Sequence, residues 1–211
     1  MRQTPLADEA TMKLNFVRAC LLLLVLTGLT TGCASVSSGL VANPTYQAWA
    51  GFEPGSSVTF QGTRKVGQES QKVLFTQRLL EVNPRQIVLE RTVEVLDGKA
   101  QPPEVIRKVE PARIAPTDNP RTNPQARVKN LDDDTFLVKG RTFQCKGKEV
   151  AVHAEFGGPL PTSEDVQLRT WVHPDVPGGT VKIFMVRKSP SHDLEVAVQA
   201  IDFQALPRKT P

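Results

Sequence analysis

Three cysteines, three histidines and one tyrosine are all that 211 residues hold of those types. Cys20 falls inside an apolar leader and Cys33 at its end, and three cysteines allow at most one pair. A disulfide framework is therefore excluded. Charge of one sign is also scarce: 26 basic residues face 22 acidic ones, a net +4. Arg64-Lys65, Arg107-Lys108, Arg187-Lys188 and Arg208-Lys209 stand as isolated pairs. Without a basic stripe there is no electrostatic footprint for nucleic acid, and no such partner is expected. The chain has no G-x-S-x-G, no phosphate-cradling glycine loop and no H-E-x-x-H. Nor does it have a long amphipathic helical stretch. What remains is 39% hydrophobic and 23% charged, too apolar for disorder. The length fits one domain, large enough to fold without disulfide staples.

Residues 19 to 31, ACLLLLVLTGLTT, form an apolar run of signal-peptide length, too short to span a membrane as a helix. Lys13 and Arg18 precede it as a positive n-region. Asp8 and Glu9 fit that region badly, so either translation begins at Met12 or the extension is tolerated. The run ends Leu29-Thr30-Thr31-Gly32-Cys33-Ala34-Ser35. This order resembles the lipobox of bacterial lipoproteins, with Thr30 where Leu or Val is usual. An ordinary secretory signal is the plainer alternative. The resemblance implies cleavage after Gly32 and a diacylglycerol thioether on Cys33, with palmitate-like chains as the membrane anchor. Two or three acyl chains make such an attachment long-lived. By similarity to enteric lipoproteins, Ala34 in place of Asp implies the outer membrane, facing the periplasm.

Residues 34 to 42 read as a short tether, so the expected organisation is signal 1–32, tether 33–42 and one β-rich domain 43–207. Asn43-Pro44 offers an N-cap and a first-turn proline for one short helix carrying Tyr46 and Trp49. From Ser56 onward period two dominates. Val58 and Phe60 share a face, as do Ile87, Leu89, Val93 and Val95, then Val150 and Val152. Val166, Leu168 and Val172 do likewise, then Val181, Ile183 and Met185, then Leu194, Val196 and Val198. Turns are expected at Asp97-Gly98, Lys139-Gly140, Lys146-Gly147, Gly157-Gly158-Pro159 and Pro177-Gly178-Gly179. The expected class is all-β and mainly antiparallel, an open half-barrel or barrel-like sheet with one short N-terminal helix. Six prolines between 101 and 125 predict a long surface loop there.

Few residues invite chemistry. Cys145 shares a strand face with Phe143, which favours core packing over a nucleophile. His153 and Glu155 point the same way from a strand and offer two metal ligands, where a structural zinc site wants four. His173 and His192 fall in turns. Asp132-Asp133-Asp134 lacks the alternate spacing of a calcium loop and reads as a solvated turn. The expectation is therefore a protein that is not an enzyme, with no catalytic residue, no metal and no cofactor.

Trp171 is more informative. It lies opposite the Val166, Leu168 and Val172 face, and its hairpin partner carries Phe184 and Val186 on that same opposite side. The hairpin is thus apolar on both faces. Either a second layer such as the Trp49 helix covers it, or Trp171, Phe184 and Val186 line a concave binding face for an apolar ligand. Thr170 to Lys182 also resembles a hairpin of uncharacterised exported β-rich bacterial proteins. In outline, a two-sided apolar sheet on a lipoprotein is similar to the half-barrel of lipoprotein-localisation factors and related lipid carriers. Three roles follow as expectations: a membrane-anchored, non-catalytic binding or structural domain with an envelope protein as partner, a carrier of lipid or another apolar ligand, and an enzyme using Cys145 or His153 with Glu155. The cues favour the first.

Overall fold

Alternating apolar and polar side chains put one face of a strand toward the core and the other toward water, so period two builds sheet. The computed structural model describes residues 39–97, 102–156, 162–189 and 193–208. The leader, Cys33, His192 and the Gly157-Gly158-Pro159 turn lie outside the described residues. The elements are β1 (Val41–Ala42), α1 (Pro44–Trp49), β2 (Ser57–Val66), β3 (Glu69–Val82), β4 (Gln86–Val95) and β5 (Glu104–Pro111). There follow β6 (Arg113–Ile114), a 3-10 turn (Pro116–Asp118), β7 (Ala126–Val138), β8 (Arg141–Phe156), β9 (Thr162–Val172), β10 (Thr180–Lys188) and β11 (Leu194–Gln204). Nine strands form one antiparallel sheet in the order β5-β4-β3-β2-β11-β10-β9-β8-β7, open at β5 and β7. β1 and β6 pair separately, Val41 with Ile114.

Three sequence expectations are corrected. The proline-rich stretch is only partly loop, since Glu104–Pro111 is a strand. Its interior residues alternate without proline, and its position at the sheet edge tolerates Pro111. Asp132-Asp133-Asp134 is not a turn but part of a bulge in β7, between Leu131 and Asp134. Lys146-Gly147 is not a turn either; both residues lie within β8. Lys139 and Gly140, by contrast, do make a two-residue hairpin turn, with φ of 50° and 74°.

The sheet is strongly curled, and α1 shows it. Asn43 caps the helix by accepting from the Thr45 amide at 2.9 Å and donates to the Pro111 carbonyl at 2.8 Å. Tyr46 donates to the Asn83 carbonyl in the turn between β3 and β4. At the other end Trp49 lies against Gly178 in the β9–β10 turn, where an added Cβ would fall 2.7 Å from the indole. β4 and β10 are four strand spacings apart, about 19 Å along a flat sheet. A six-residue helix is about 9 Å long. Its ends reach both sites only because the sheet bends around it. The face it covers, here the inner face, carries Val58, Phe60, Leu79, Ile87 and Leu89, all buried.

Candidate functional site

The outer face is closed in a different way. Beyond the β7 bulge the tip of the β7–β8 hairpin folds over it as far as β11. The Lys139 amide donates to the Ile201 carbonyl at 3.2 Å, and the Lys139 ammonium lies 2.9 Å from Asp202. Gly147 permits the fold: it sits opposite Leu131 and Trp171, and a Cβ there would lie 2.8 Å from the Asp132 carbonyl oxygen. Under the tip Phe136 meets Trp171 edge-on at 6.0 Å, and Phe143 meets Phe203 at 5.6 Å. The Lys182 ammonium stands 5.1 Å from the centres of both Phe136 and Trp171, a stabilising position for a cation.

The outer-face trio of Trp171, Phe184 and Val186 is therefore half-buried and unequally placed. Trp171 is covered by Phe136, a residue the sequence did not single out. Its indole N–H is buried without a hydrogen-bond partner. Phe184 lies 5.8 Å beneath the Arg169 guanidinium, whose Nε donates to Glu149 at 2.6 Å. Val186 lines a cavity of about 750 Å³ at the open ends of β7 to β10, beside Arg127, His153, Asp165, Gln167 and Lys188. His153 Nδ1 lies 2.6 Å from Asp165 Oδ1, on a rim where both side chains are more than half exposed.

The remaining reactive candidates fare as follows. Cys145 is fully buried beside Phe143, and burial first, then the Asp134 carboxylate, pushes its thiol pKa up. Such a thiol resists forming the thiolate that nucleophilic attack requires. The His173 ring packs on Phe143 at 5.0 Å, and its Nδ1 accepts from the Asp175 amide. The Glu155 side chain lies outside the described residues. Among the described residues no three His, Cys, Asp or Glu side chains cluster as metal ligands.

The inner face holds a feature that only strand register reveals. One row across six strands reads Ala126, Val152, Val166, Arg187, Leu194 and Val66. The next reads Val128, Val150, Leu168, Met185, Val196 and Arg64. Apart from two arginines the band is apolar. Its cover thins toward the β7 edge: Leu194 is 2% exposed, Val150 and Val152 are half-buried, and Val128 is 45% exposed. Arg64 is buried and donates to Gln71 at 2.8 Å. Arg187 is 7% exposed; its Nε has no hydrogen-bond partner, and no carboxylate of the described residues pairs with it. Continuing period two past Ile183 and Met185 would have put Arg187 on this face. That signal matters only once both strand neighbours are known to be apolar.

A third inner-face arginine is treated differently. Arg91 lies 3.8 Å from Glu110, which Lys108 also contacts at 2.8 Å. Burial lowers the Arg91 pKa to about 10, against the opposing pull of Glu110.

Comparison with protein-family models, with curated proteins and with solved structures finds no match to this chain.

Proposed function

We propose that this protein is a bacterial envelope lipoprotein, anchored by acyl chains on Cys33 and facing the periplasm from the outer membrane, whose β domain binds rather than catalyses. The anchor rests on the order of charge, apolar run, small residues and cysteine in residues 13 to 35. Among the described residues no helix is long and apolar enough to cross a membrane. The binding role rests on one observation, the apolar band that crosses six strands and becomes exposed at β7. A domain that only folds needs one covered face; an apolar surface left partly open suits a partner or ligand.

The anchor is tested by Cys33→Ser, which is expected to release the protein from membranes. Normal processing and wild-type fractionation of that variant would exclude the lipoprotein reading.

Within this reading two roles compete: contact with another envelope protein, and carriage of a lipid or similar apolar ligand. The uncovered side of the band together with the buried Arg187 favours the carrier. Native mass spectrometry of the intact protein in mild detergent tests it, with a co-purifying lipid mass as the expected result. A ligand-free spectrum together with a stable complex with a second protein would favour the scaffold role.

A further inference from the structure

We propose that the band on the inner face holds an anionic amphiphile, with its charged head on Arg187 and its acyl chain running across β9 and β8 toward Val128. The proposal deepens the carrier reading and rests on it.

A guanidinium has five N–H donors and no way to lose its charge near neutral pH. Proteins therefore bury one only with anions or acceptors around it. All three inner-face arginines leave Nε buried without a partner, but the rest of the guanidinium has Glu110 at Arg91 and Gln71 at Arg64. Arg187 has no such pairing side chain among the described residues. Its row neighbours are Val166 on β9 and Leu194 on β11, and its diagonal neighbours among the described residues are Leu168, Val196 and Glu164. Only Glu164 carries an acceptor, and among the described residues no ion pair joins it to Arg187. The guanidinium therefore keeps donors that no side chain of the described residues takes up.

The surroundings state what kind of acceptor fits. A free inorganic anion would leave the apolar neighbours unused. An apolar molecule without charge would leave the guanidinium unsatisfied. A carboxylate or phosphate carried on an acyl chain satisfies both at once, and Arg is the residue best shaped to grip either head in two-pronged fashion. Arg64 on β2, two strands away and one row along, adds a second positive charge at this end of the band. Direction follows from exposure. Arg187 and Leu194 lie at the covered end, whereas Val150, Val152 and Val128 lie progressively nearer solvent. From Arg187 on β10 to Val128 on β7 is three strand spacings, about 14 Å, room for an acyl chain of medium length laid across them. The chain would enter at the β7 edge, the one end of the band without a further strand.

The test uses the intact protein in nanodiscs of zwitterionic lipid. Three photoreactive probes share one acyl chain with a mid-chain diazirine: the free fatty acid, its methyl ester, and the lysophosphatidic acid. Cross-linked peptides are mapped by mass spectrometry. Both anionic probes, or one of them, are expected to label the segments carrying Val150, Val152, Leu168 and Met185, and which of them does so distinguishes a fatty-acid source from a phospholipid one. The ester should label these segments about tenfold less, the discrimination that one charge-assisted hydrogen bond supplies. Arg187→Met should bring anionic labelling down to the ester's level and, without any probe, raise the melting temperature, because it replaces an unpaired buried cation by an apolar chain. Arg187→Lys keeps the charge and should retain part of the labelling. Equal labelling by ester and acid would overturn the anionic head while leaving the carrier reading intact. No labelling of the band by any probe would overturn both. Lost labelling with a lowered melting temperature in Arg187→Met would make Arg187 a structural residue and overturn the assignment.

Discussion

Gly147→Ala would push a methyl group into the bend that folds the β7–β8 tip over the outer face. The added Cβ would sit 2.8 Å from the Asp132 carbonyl oxygen, 2.8 Å from Leu131 Cβ and 3.1 Å from Trp171 Nε1. Two of these three neighbours belong to β7 at its bulge, and the carbonyl is backbone, so a rotamer change cannot relieve the clash. Either the bulge shifts outward or Trp171 moves from under Phe136. Overpacking of this kind costs about 1–3 kcal/mol. In a domain of this size each kcal/mol lowers the melting temperature by about 2–4 °C. A fall of about 2–12 °C is expected, read by thermal and urea unfolding of the intact protein. The local consequence separates this account from general damage. In a Trp49→Phe background, Trp171 emission should shift to the red as Phe136 withdraws, while the far-ultraviolet circular dichroism stays that of β-sheet. Gly51→Ala is the control, since nothing lies within 4 Å of its added Cβ; it should stay within about 0.5 kcal/mol of wild type. If Gly147→Ala melts with Gly51→Ala, the tip is not held through Gly147. If it is destabilised with unchanged Trp171 emission, the link between the bend and Trp171 is wrong.

Other measurements bear on the buried ionisable groups. Cys145 should react slowly with thiol reagents in the folded protein, and Cys145→Ala should cost at most about 2 kcal/mol as a small core truncation. Its raised thiol pKa means that, above the ordinary thiol value, the unfolded chain loses a proton that the folded chain keeps, so stability falls as pH rises through that range. Cys145→Ala should flatten this slope above the ordinary thiol value, and an unchanged slope would refute the assignment. Glu110→Gln should cost about 3 kcal/mol in urea unfolding, the low end for breaking a buried pair, because 3.8 Å is a long contact and Lys108 shares the carboxylate. A neutral effect would show that Arg91 is held by its surroundings rather than by Glu110.

Local rules settled much of this protein without a fold. Period two in Val58–Phe60, Ile87–Leu89 and Leu194–Val198 made these positions strands with an apolar side, because a strand inverts its side chains at every residue. Asn43-Pro44 capped a helix because those two residues satisfy a first turn wherever it occurs. The burial of Cys145 with Phe143 followed from their sharing a face. The two-sided apolar character of the β9–β10 hairpin was likewise legible, since it needs only parity within two neighbouring strands.

The tertiary structure decided what depends on neighbours distant in sequence. Lys146-Gly147 has the composition of a turn, yet Gly147 lies inside a strand because the β7 bulge needs a position without a side chain opposite it. Glu104–Pro111 became a strand because β4 offered an edge on which the terminal proline cost no shared hydrogen bond. Trp171 is covered by Phe136 and not by Trp49, a choice made by the path of the hairpin tip. The two rows that carry Arg187 and Arg64 exist only once six strands are set in register, and a slip of one residue would put both arginines on the opposite face. Sequence period determined which side chains each strand could offer. Strand order and register, set by packing over the whole sheet, determined which of them meet.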